Sequence, residues 1–569
     1  MSENILKLFI KKGFLLDKDM LNFLKELKDD DVASEIIDKI AVTSHKKVIT
    51  KNLVNENIEK IKPIFFELDS EKKKLIEKYF VNVSISVEVK KETSMENENF
   101  EEKENNFLKD SPAGNVKVLS SPVSVFQKLE VRDFVRHFRN RYSFLKQIIQ
   151  QKPELESLTS IDKISNNRNF SIIGMITSKQ VTKNKNIILE VEDLTGKIKV
   201  LINQNKEEVF NKAKEILLDD VIGFKCSGTR DFLFVNDFFY PDAFRAERPL
   251  IEKDAFALFI SDIHVGSRNF LEKNFERFIE WLNGKNEEEK GLIKKVKYLF
   301  VVGDSIDGVG IYPGQEKDLK IKDIKEQYVK LAEFYKKIPK HIQIIQCAGQ
   351  HDAVRVAEPQ PPIGDDFAEP LHKFENLHLV SNPSLVEIEG KNGNRGVRVL
   401  MYHGASMHNI VNEIEELRLN DGHSTPARIV KHLLLRRHLA PSHGDMIYIP
   451  DSKSDPMLIK EVPDIITTGD LHKMDIDKYN GILIISNSCW QSMTAFEEKV
   501  GNKPDYCKVP LLNLKTGSIK ILDFFDAESK EEKCDVIDEK KEVSAEGDSE
   551  EGRGSDINKK EIVCEVGNG

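Results

Sequence analysis

The stretch Phe256-Ala-Leu-Phe-Ile-Ser-Asp-Ile-His264 decides the fold of the larger part of this chain. Its first five residues are apolar without interruption, which is the length of a strand and not of a helix. An unbroken apolar strand is buried on both faces, as in a parallel sheet covered by helices. The run ends at once in Asp262 and His264, two residue types that bind metal. The same device recurs downstream. Tyr298-Leu-Phe-Val-Val precedes Gly303-Asp304-Ser305-Ile306-Asp307-Gly308, and Ile342-Gln-Ile-Ile-Gln precedes Gly349-Gln350-His351-Asp352. Val397-Arg-Val-Leu-Met precedes Tyr402-His403-Gly404, Gly469-Asp470-Leu471-His472 is a fifth motif, and Ile482-Leu-Ile-Ile is a further strand. Polar residues at the C-terminal ends of strands are where α/β folds place their sites. A lone Asp-x-His means little; five such motifs in order point to one centre.

Working outward, residues 249–526 are expected to form this α/β domain. Before it, 166–248 alternates with period two in Phe170-Ser-Ile-Ile-Gly-Met-Ile, Ile187-Ile-Leu-Glu-Val, Ile198-Lys-Val-Leu-Ile and Val221-Ile-Gly-Phe-Lys-Cys. Short strands with one helix-like insertion, Glu207 to Leu217, suggest an OB-type β-barrel. Residues 126–165 read as a helical connector carrying Arg132, Arg136, Arg139, Arg141 and Lys146 among Phe134, Phe138, Tyr142 and Phe144. That helix either packs on a neighbour or meets phosphates or a partner. Residues 81–125, rich in Glu, Lys and Asn, read as a disordered linker. Residues 1–80 carry apolar residues at helical spacing and read as a small helical module. The tail 527–569 is acidic and expected to be disordered. Just before it, Ser518-Ile-Lys-Ile-Leu-Asp-Phe-Phe faintly resembles a sliding-clamp-binding peptide but lacks its Gln, and a closing strand is the better reading.

Composition sets the outer limits. The 569 residues imply about three domains at roughly 100–200 residues each. Hydrophobic content of 40% suffices for real cores, and a net charge of −10 argues against a protein that coats nucleic acid non-specifically. Six Cys without a CxxC pair argue against disulfides and a thiolate zinc site, and fit a reducing cytoplasm. The start Met-Ser-Glu-Asn-Ile-Leu-Lys lacks the apolar core of a signal peptide and no run of 18 apolar residues occurs, so no membrane span is expected.

The five motifs together resemble the signature of calcineurin-like metallophosphoesterases over roughly 255–525. His351-Asp-Ala-Val-Arg through Glu358-Pro-Gln-Pro-Pro, Leu435-Arg-Arg-His-Leu-Ala-Pro, Val462-Pro-Asp-Ile and Cys489-Trp-Gln-Ser narrow the resemblance to the small subunits of archaeal family D DNA polymerases. The resemblance implies a multidomain α/β chain: a phosphoesterase sandwich preceded by an OB-fold barrel and a helical module. It further implies two divalent ions, manganese first, with magnesium, iron or zinc as alternatives. Two such ions, roughly 3.5–4 Å apart, clamp a phosphodiester and activate water. By motif, one ion falls to Asp262, His264, Asp304 and His472, and the other to Asp304, Gln350, His403 and Asp470. His351 is implied as the acid at the leaving oxygen, with Asp352 orienting it. The implied activity is 3′→5′ exonuclease proofreading. The implied partners are a large polymerising subunit and DNA 3′ ends, with a sliding clamp as a further candidate. The other reading is a structural B-type polymerase subunit, since the eukaryotic B-type subunits resemble this architecture without the metal ligands.

Two positions depart from the signature. Gln350 stands where the family has Asn, and Asp470 stands where it has the first His of Gly-His-x-His. Both keep a ligand atom, and both fall on the same ion. The centre is therefore either loosened or retuned toward oxygen-preferring ions. Between the fourth and fifth motifs, Lys431, His432, Arg436, Arg437 and His438 form a basic face that is either solvated or guides a DNA backbone.

Overall fold

A computed structural model of the chain describes residues 114–526 apart from short gaps at 124–127, 165–168, 246–248, 250, 253, 391–393, 445, 452 and 501, together with 15–16 and 48–49. The chain divides into two units, 1–103 and 104–569. In the first, Leu15–Leu16 pairs in parallel with Val48–Ile49. The helices expected for 1–80, the Glu/Lys/Asn-rich part of the linker and the acidic tail lie outside the described residues. Everything below belongs to the second unit.

This unit opens with a strand, β1 (Val116–Ser120), and a helix, α1 (Val131–Ile149). Strands β2 (Phe170–Val181), β3 (Ile187–Glu192), β4 (Lys197–Ile202), β5 (Val221–Gly228) and β6 (Leu233–Phe239) close a barrel in the order β2-β3-β4-β6-β5. A helix, α2 (Glu207–Ala213), lies between β4 and β5 in the chain. The period-two alternation accounts for the closure: Ile187, Leu189 and Val191 on one strand and Ile198, Val200 and Ile202 on the next all point into one buried cluster.

The remaining chain builds two six-stranded sheets. The first contains β7 (Phe256–Ile260), β8 (Val296–Val302), β9 (Gln343–Cys347) and β10 (Leu377–Val380). The second contains β11 (Ser384–Ile388), β12 (Val397–Met401), β13 (Ile465–Thr468), β14 (Asp475–Tyr479) and β15 (Ile482–Ser486). Two last strands, β16 (Lys508–Asn513) and β17 (Ile519–Asp523), complete the first sheet, in the order β10-β9-β8-β7-β16-β17. The second runs β14-β15-β13-β12-β11-β1. Between the sheets, Ala257, Phe259, Phe300 and Ile345 meet Val386, Val399, Met401 and Ile465. The alternate residues Leu258, Ile260, Leu299 and Ile344 pack outward against Phe275, Tyr328 and Leu331 of the covering helices. Helices cover the second sheet likewise, through Met407, Ile410, Val430 and Leu433. The apolar runs are unbroken because both faces of each central strand are covered.

Three expectations need correction or closure. Residues 116–120 are no linker: β1 is the edge of the second sheet, paired antiparallel to β11 from Val116↔Ile388 to Ser120↔Leu385. Local composition hides such a strand because its partner is far away in sequence. Three members of the basic face, Arg436, Arg437 and His438, are buried and so neither solvated nor free to guide DNA, and Lys431 is held by an acidic partner. Arg436 is buried and pairs with the barrel's Asp220 at 2.9 Å, Arg437 donates to the carbonyls of Ile459 and Lys460, and Lys431 pairs with Asp477. The closing-strand reading of 518–525 holds: β17 is hydrogen-bonded to β16, and Phe524 packs on Phe278 and Trp490.

Helix α1 packs on its neighbours, with Tyr142, Leu145 and Ile149 buried. Its Arg141 joins His137 and His438 around the fully buried Asp455, at 2.7, 3.2 and 2.8 Å. The backbone N–H of Ala440 donates to Nδ1 of His438 at 3.0 Å. That bond leaves the proton on Nε2, facing Asp455, so His438 is neutral. Burial, reinforced by Arg141, pushes its pKa down to about 4. A free His titrates near 6.5, so the unfolded chain gains a proton between about pH 6.5 and 4 that the folded chain does not. Stability is expected to fall through that window by roughly 3 kcal/mol from this residue. Denaturation midpoints at pH 7.5 and 4.5 check this. Equal slopes against pH for the natural chain and His438→Gln would show that His438 contributes nothing.

Candidate metal centre

The motifs converge because each loop leaves its strand in a tight turn. Asp262, His264, Asp304, Asp470 and His472 all hold positive φ, between 48° and 66°. Non-glycine residues rarely adopt this region, and clusters of such residues mark functional sites. Backbone bonds tie the loops together: Asp262 N–H to the Gly303 carbonyl, His264 N–H to the Asp304 carbonyl, and Gly469 N–H to the His403 carbonyl. Two glycines explain the spelling of their motifs. A Cβ on Gly303, at φ 78°, would lie 2.2 Å from Nδ1 of His403. A Cβ on Gly349 would lie 2.2 Å from Oδ1 of Asp304 and 2.7 Å from Nε2 of His403.

All seven expected ligands come together. On one side, Nε2 of His472 lies 3.4 Å from Oδ1 of Asp262 and 3.3 Å from Nε2 of His264. Each of these rings is fixed from behind. Nδ1 of His264 faces Oδ1 of Asp307 at 3.0 Å, and Nδ1 of His472 faces Oε1 of Glu497 at 2.8 Å. Ionised carboxylates only accept hydrogen bonds, so each Nδ1 carries a proton, and each Nε2 is the atom turned toward the other ring and Asp262. Two neutral rings so placed would face lone pair to lone pair at 3.3 Å and repel unless a proton or a metal cation lies between them. A carboxylate behind each imidazole is the usual support of a metal-binding His.

On the other side, Nε2 of His403 lies 3.2 Å from Oδ2 of Asp304 and 3.8 Å from Oδ1 of Asp470. Nδ1 of His403 donates to the Val302 carbonyl at 2.8 Å, so its Nε2 is the atom left to face the carboxylates. Gln350 donates through Nε2 to Oδ1 of Asp470 at 3.0 Å. Nε2 of His403, Oε1 of Gln350 and Oδ2 of Asp470 are buried without a hydrogen-bond partner. Buried polar atoms are almost always satisfied, and here three orphans belong to the ligands of one expected ion. Asp304 lies between the two sets, its Oδ1 accepting from the backbone N–H of His351 at 2.8 Å. Burial acts to raise the carboxyls of Asp262 and Asp304. The neighbouring imidazoles, chiefly His472 for the first and His403 for the second, outweigh it and hold both below the usual range. The donor set, three imidazoles, three carboxylates and an amide oxygen, fits divalent transition ions or magnesium better than a soft thiophilic one. The residues present therefore fit the implied pair.

His351 stands at the edge of the cluster, its ring 4.8 Å from that of His264 and edge-on to it. Asp352 does not orient it. Asp352 is buried beneath the loop, accepting from Ser305 Oγ at 2.5 Å and from the Gly349 N–H at 2.9 Å, where it braces two metal loops. His351 is instead held through Nδ1 by the carbonyl of Asp307 at 2.7 Å. Asp307 thus serves His264 through its side chain and His351 through its backbone. Its signal was present, since it closes the Gly303–Gly308 motif. Glu497, in the short helix Ala495–Val500, had none: nothing in sequence links it to a His 25 residues away.

Fold and site together define a two-sheet α/β protein whose strand ends gather buried His and Asp groups that could hold a metal ion. The family model for the B-type subunit of DNA polymerases alpha and epsilon matches residues 257–475. The DNA polymerase II small subunit of Methanothermobacter thermautotrophicus is 34% identical over 91% of this chain and 98% of its own length. That of Pyrococcus furiosus is 37% identical over 69% of this chain, and the match spans 64% of the relative's length. The chain belongs to the family of DNA polymerase II small subunits. Among solved structures, an archaeal phosphodiesterase overlaps 47% of this chain and 98% of its own at 12% identity and a TM-score of 0.24, too distant to support an argument.

Proposed function

We propose that this subunit carries a two-metal 3′→5′ exonuclease that removes misincorporated nucleotides for a large polymerising subunit, to which it also docks. The observation that carries the reading is that Nε2 of His264 and Nε2 of His472 face each other at 3.3 Å beside Asp262, each ring held from behind by a carboxylate at Nδ1. A merely structural subunit has no use for so costly an arrangement. Asp262, His264, Asp304 and His472 would hold one ion, and Asp304, Gln350, His403 and Asp470 the other. When bound, such a pair supplies Lewis-acid stabilisation of phosphoryl oxygens and a more acidic water. The chain's own residues do the rest. Asp307 and Glu497 fix the tautomers of His264 and His472. The Asp307 carbonyl occupies Nδ1 of His351, leaving Nε2 to deliver a proton to the departing 3′ oxygen. Asp352 holds the loops of Asp304 and His351 together from below.

The five-stranded barrel supports an OB-type reading, with single-stranded DNA or the large subunit as its partner. The substrate is a single-stranded or mismatched primer end, and the place of action is the cytoplasm beside the replication machinery. A sliding clamp remains a partner to test on the whole assembly, because 518–525 is committed to the sheet. The match to the family of B-type polymerase subunits favours a second reading, docking without chemistry. The two separate in one experiment. With manganese, the purified chain is expected to shorten single-stranded and 3′-mismatched DNA and to stop on chelation. A chain that captures the large subunit yet leaves both DNAs intact would establish docking alone.

A further inference from the structure

Of the metal-set carboxylates, only Asp470 combines an orphan oxygen with a solvent-reachable imidazole. Its Oδ1 faces His403 and Gln350. Its Oδ2 is buried, lacks a hydrogen-bond partner, and lies 3.4 Å from Nε2 of His408. His408 sits on the short helix Met407–Glu413, and its side chain is 48% exposed. The helix itself is firmly placed. Met407 and Ile410 are buried, and Ser406 at its start donates to the Leu439 carbonyl and accepts from Tyr402. The ring of His423 lies 5.2 Å from that of His408 and limits its swing. A Cβ on Gly404 would lie 3.2 Å from Cβ of Asp470, so the loop leading to this helix passes directly against the ligand.

We propose that His408 is a positioning residue for the second ion, restoring from one step further out the imidazole that position 470 lacks. The inference rests on the two-metal reading above. A ligating carboxylate, like a ligating His, needs its outer atom held. His264 and His472 have Asp307 and Glu497 behind them; here the order is inverted, with an imidazole behind a carboxylate. With Oδ2 engaged by the Nε2–H of His408, Oδ1 stays directed at the space shared by His403 and Gln350. The contact has ion-pair distance without hydrogen-bond alignment, and His408 is the basic side chain nearest that otherwise unpartnered oxygen among the contacts of Asp470.

The test is calorimetric titration of manganese into the full-length chain, with His408→Ala, His408→Gln, Asp470→His and the double variant His408→Ala/Asp470→His. The natural chain is expected to take up two ions. His408→Ala should leave the first affinity unchanged and weaken the second by about 10- to 100-fold, the usual effect of losing an outer partner. His408→Gln, which keeps a donor, should recover most of it. In the Asp470→His background, His408→Ala should change nothing, because the carboxylate it serves is gone. The melting temperature of the metal-free chain should be the same for His408→Ala as for the natural chain, since a half-exposed side chain contributes little to stability. A second affinity unchanged by His408→Ala overturns the proposal and leaves the two-metal reading standing. Fewer than two ions in the natural chain overturns both.

Discussion

Asp304→Asn is expected to abolish nuclease activity and to empty both ion positions. Asp304 is the carboxylate common to the two proposed ligand sets, with Oδ2 3.2 Å from Nε2 of His403 and Oδ1 braced by the His351 N–H. The amide removes a full negative charge from a buried site without changing its shape, so the loss is electrostatic. An ion's stabilisation of the transition state is worth several kcal/mol, and each 1.4 kcal/mol is about tenfold in rate. A loss of about three or more orders of magnitude follows. Metal analysis after gel filtration, run beside the activity assay, checks it. Retention of two ions and full activity in Asp304→Asn would remove Asp304 from the bridging position.

His351→Ala is expected to separate binding from chemistry. The ring is held by a backbone carbonyl and stands beside the ligand sets, outside both. Its removal should leave ion content unchanged while the rate drops by roughly 10²–10⁴-fold, the usual worth of a positioned acid. DNA affinity should move little, so the loss appears in kcat and not in KM. Asp352→Asn should behave differently. It weakens the brace between the Ser305 and Gly349 loops and is expected to lower thermal stability as well as rate. Loss of both ions in His351→Ala would make His351 a ligand.

Much of this was legible in sequence because metal ligands at strand ends leave two coincident signals, an unbroken apolar run and an abrupt polar stop. The α/β character and the strand-end placement of the five motifs follow from that coincidence, while the sandwich and the seven expected ligands come from the resemblance of those motifs to the phosphoesterase signature. What stayed hidden depends on contacts between distant residues. Glu497 reaches His472 from a separate short helix, and β1 finds its partner β11 across some 260 residues. Arg436 and Arg141 look like phosphate ligands in any local window. Only the fold shows that Asp220 and Asp455 already hold them, in buried pairs whose disruption is costly. Asp352 misleads for the opposite reason. Adjacency to His351 suggests a partner, but successive side chains in a tight loop diverge, and the backbone carbonyl of Asp307 takes that place.

The most direct measurement is the product pattern from a 5′-labelled strand with a 3′-terminal mismatch, incubated with the full-length chain and manganese. The expected result is a ladder shortening one nucleotide at a time from the 3′ end, absent with chelator and absent with Asp304→Asn. A strand that stays intact while the chain holds two manganese ions would contradict the nuclease reading and leave a metal-stabilised docking subunit in its place.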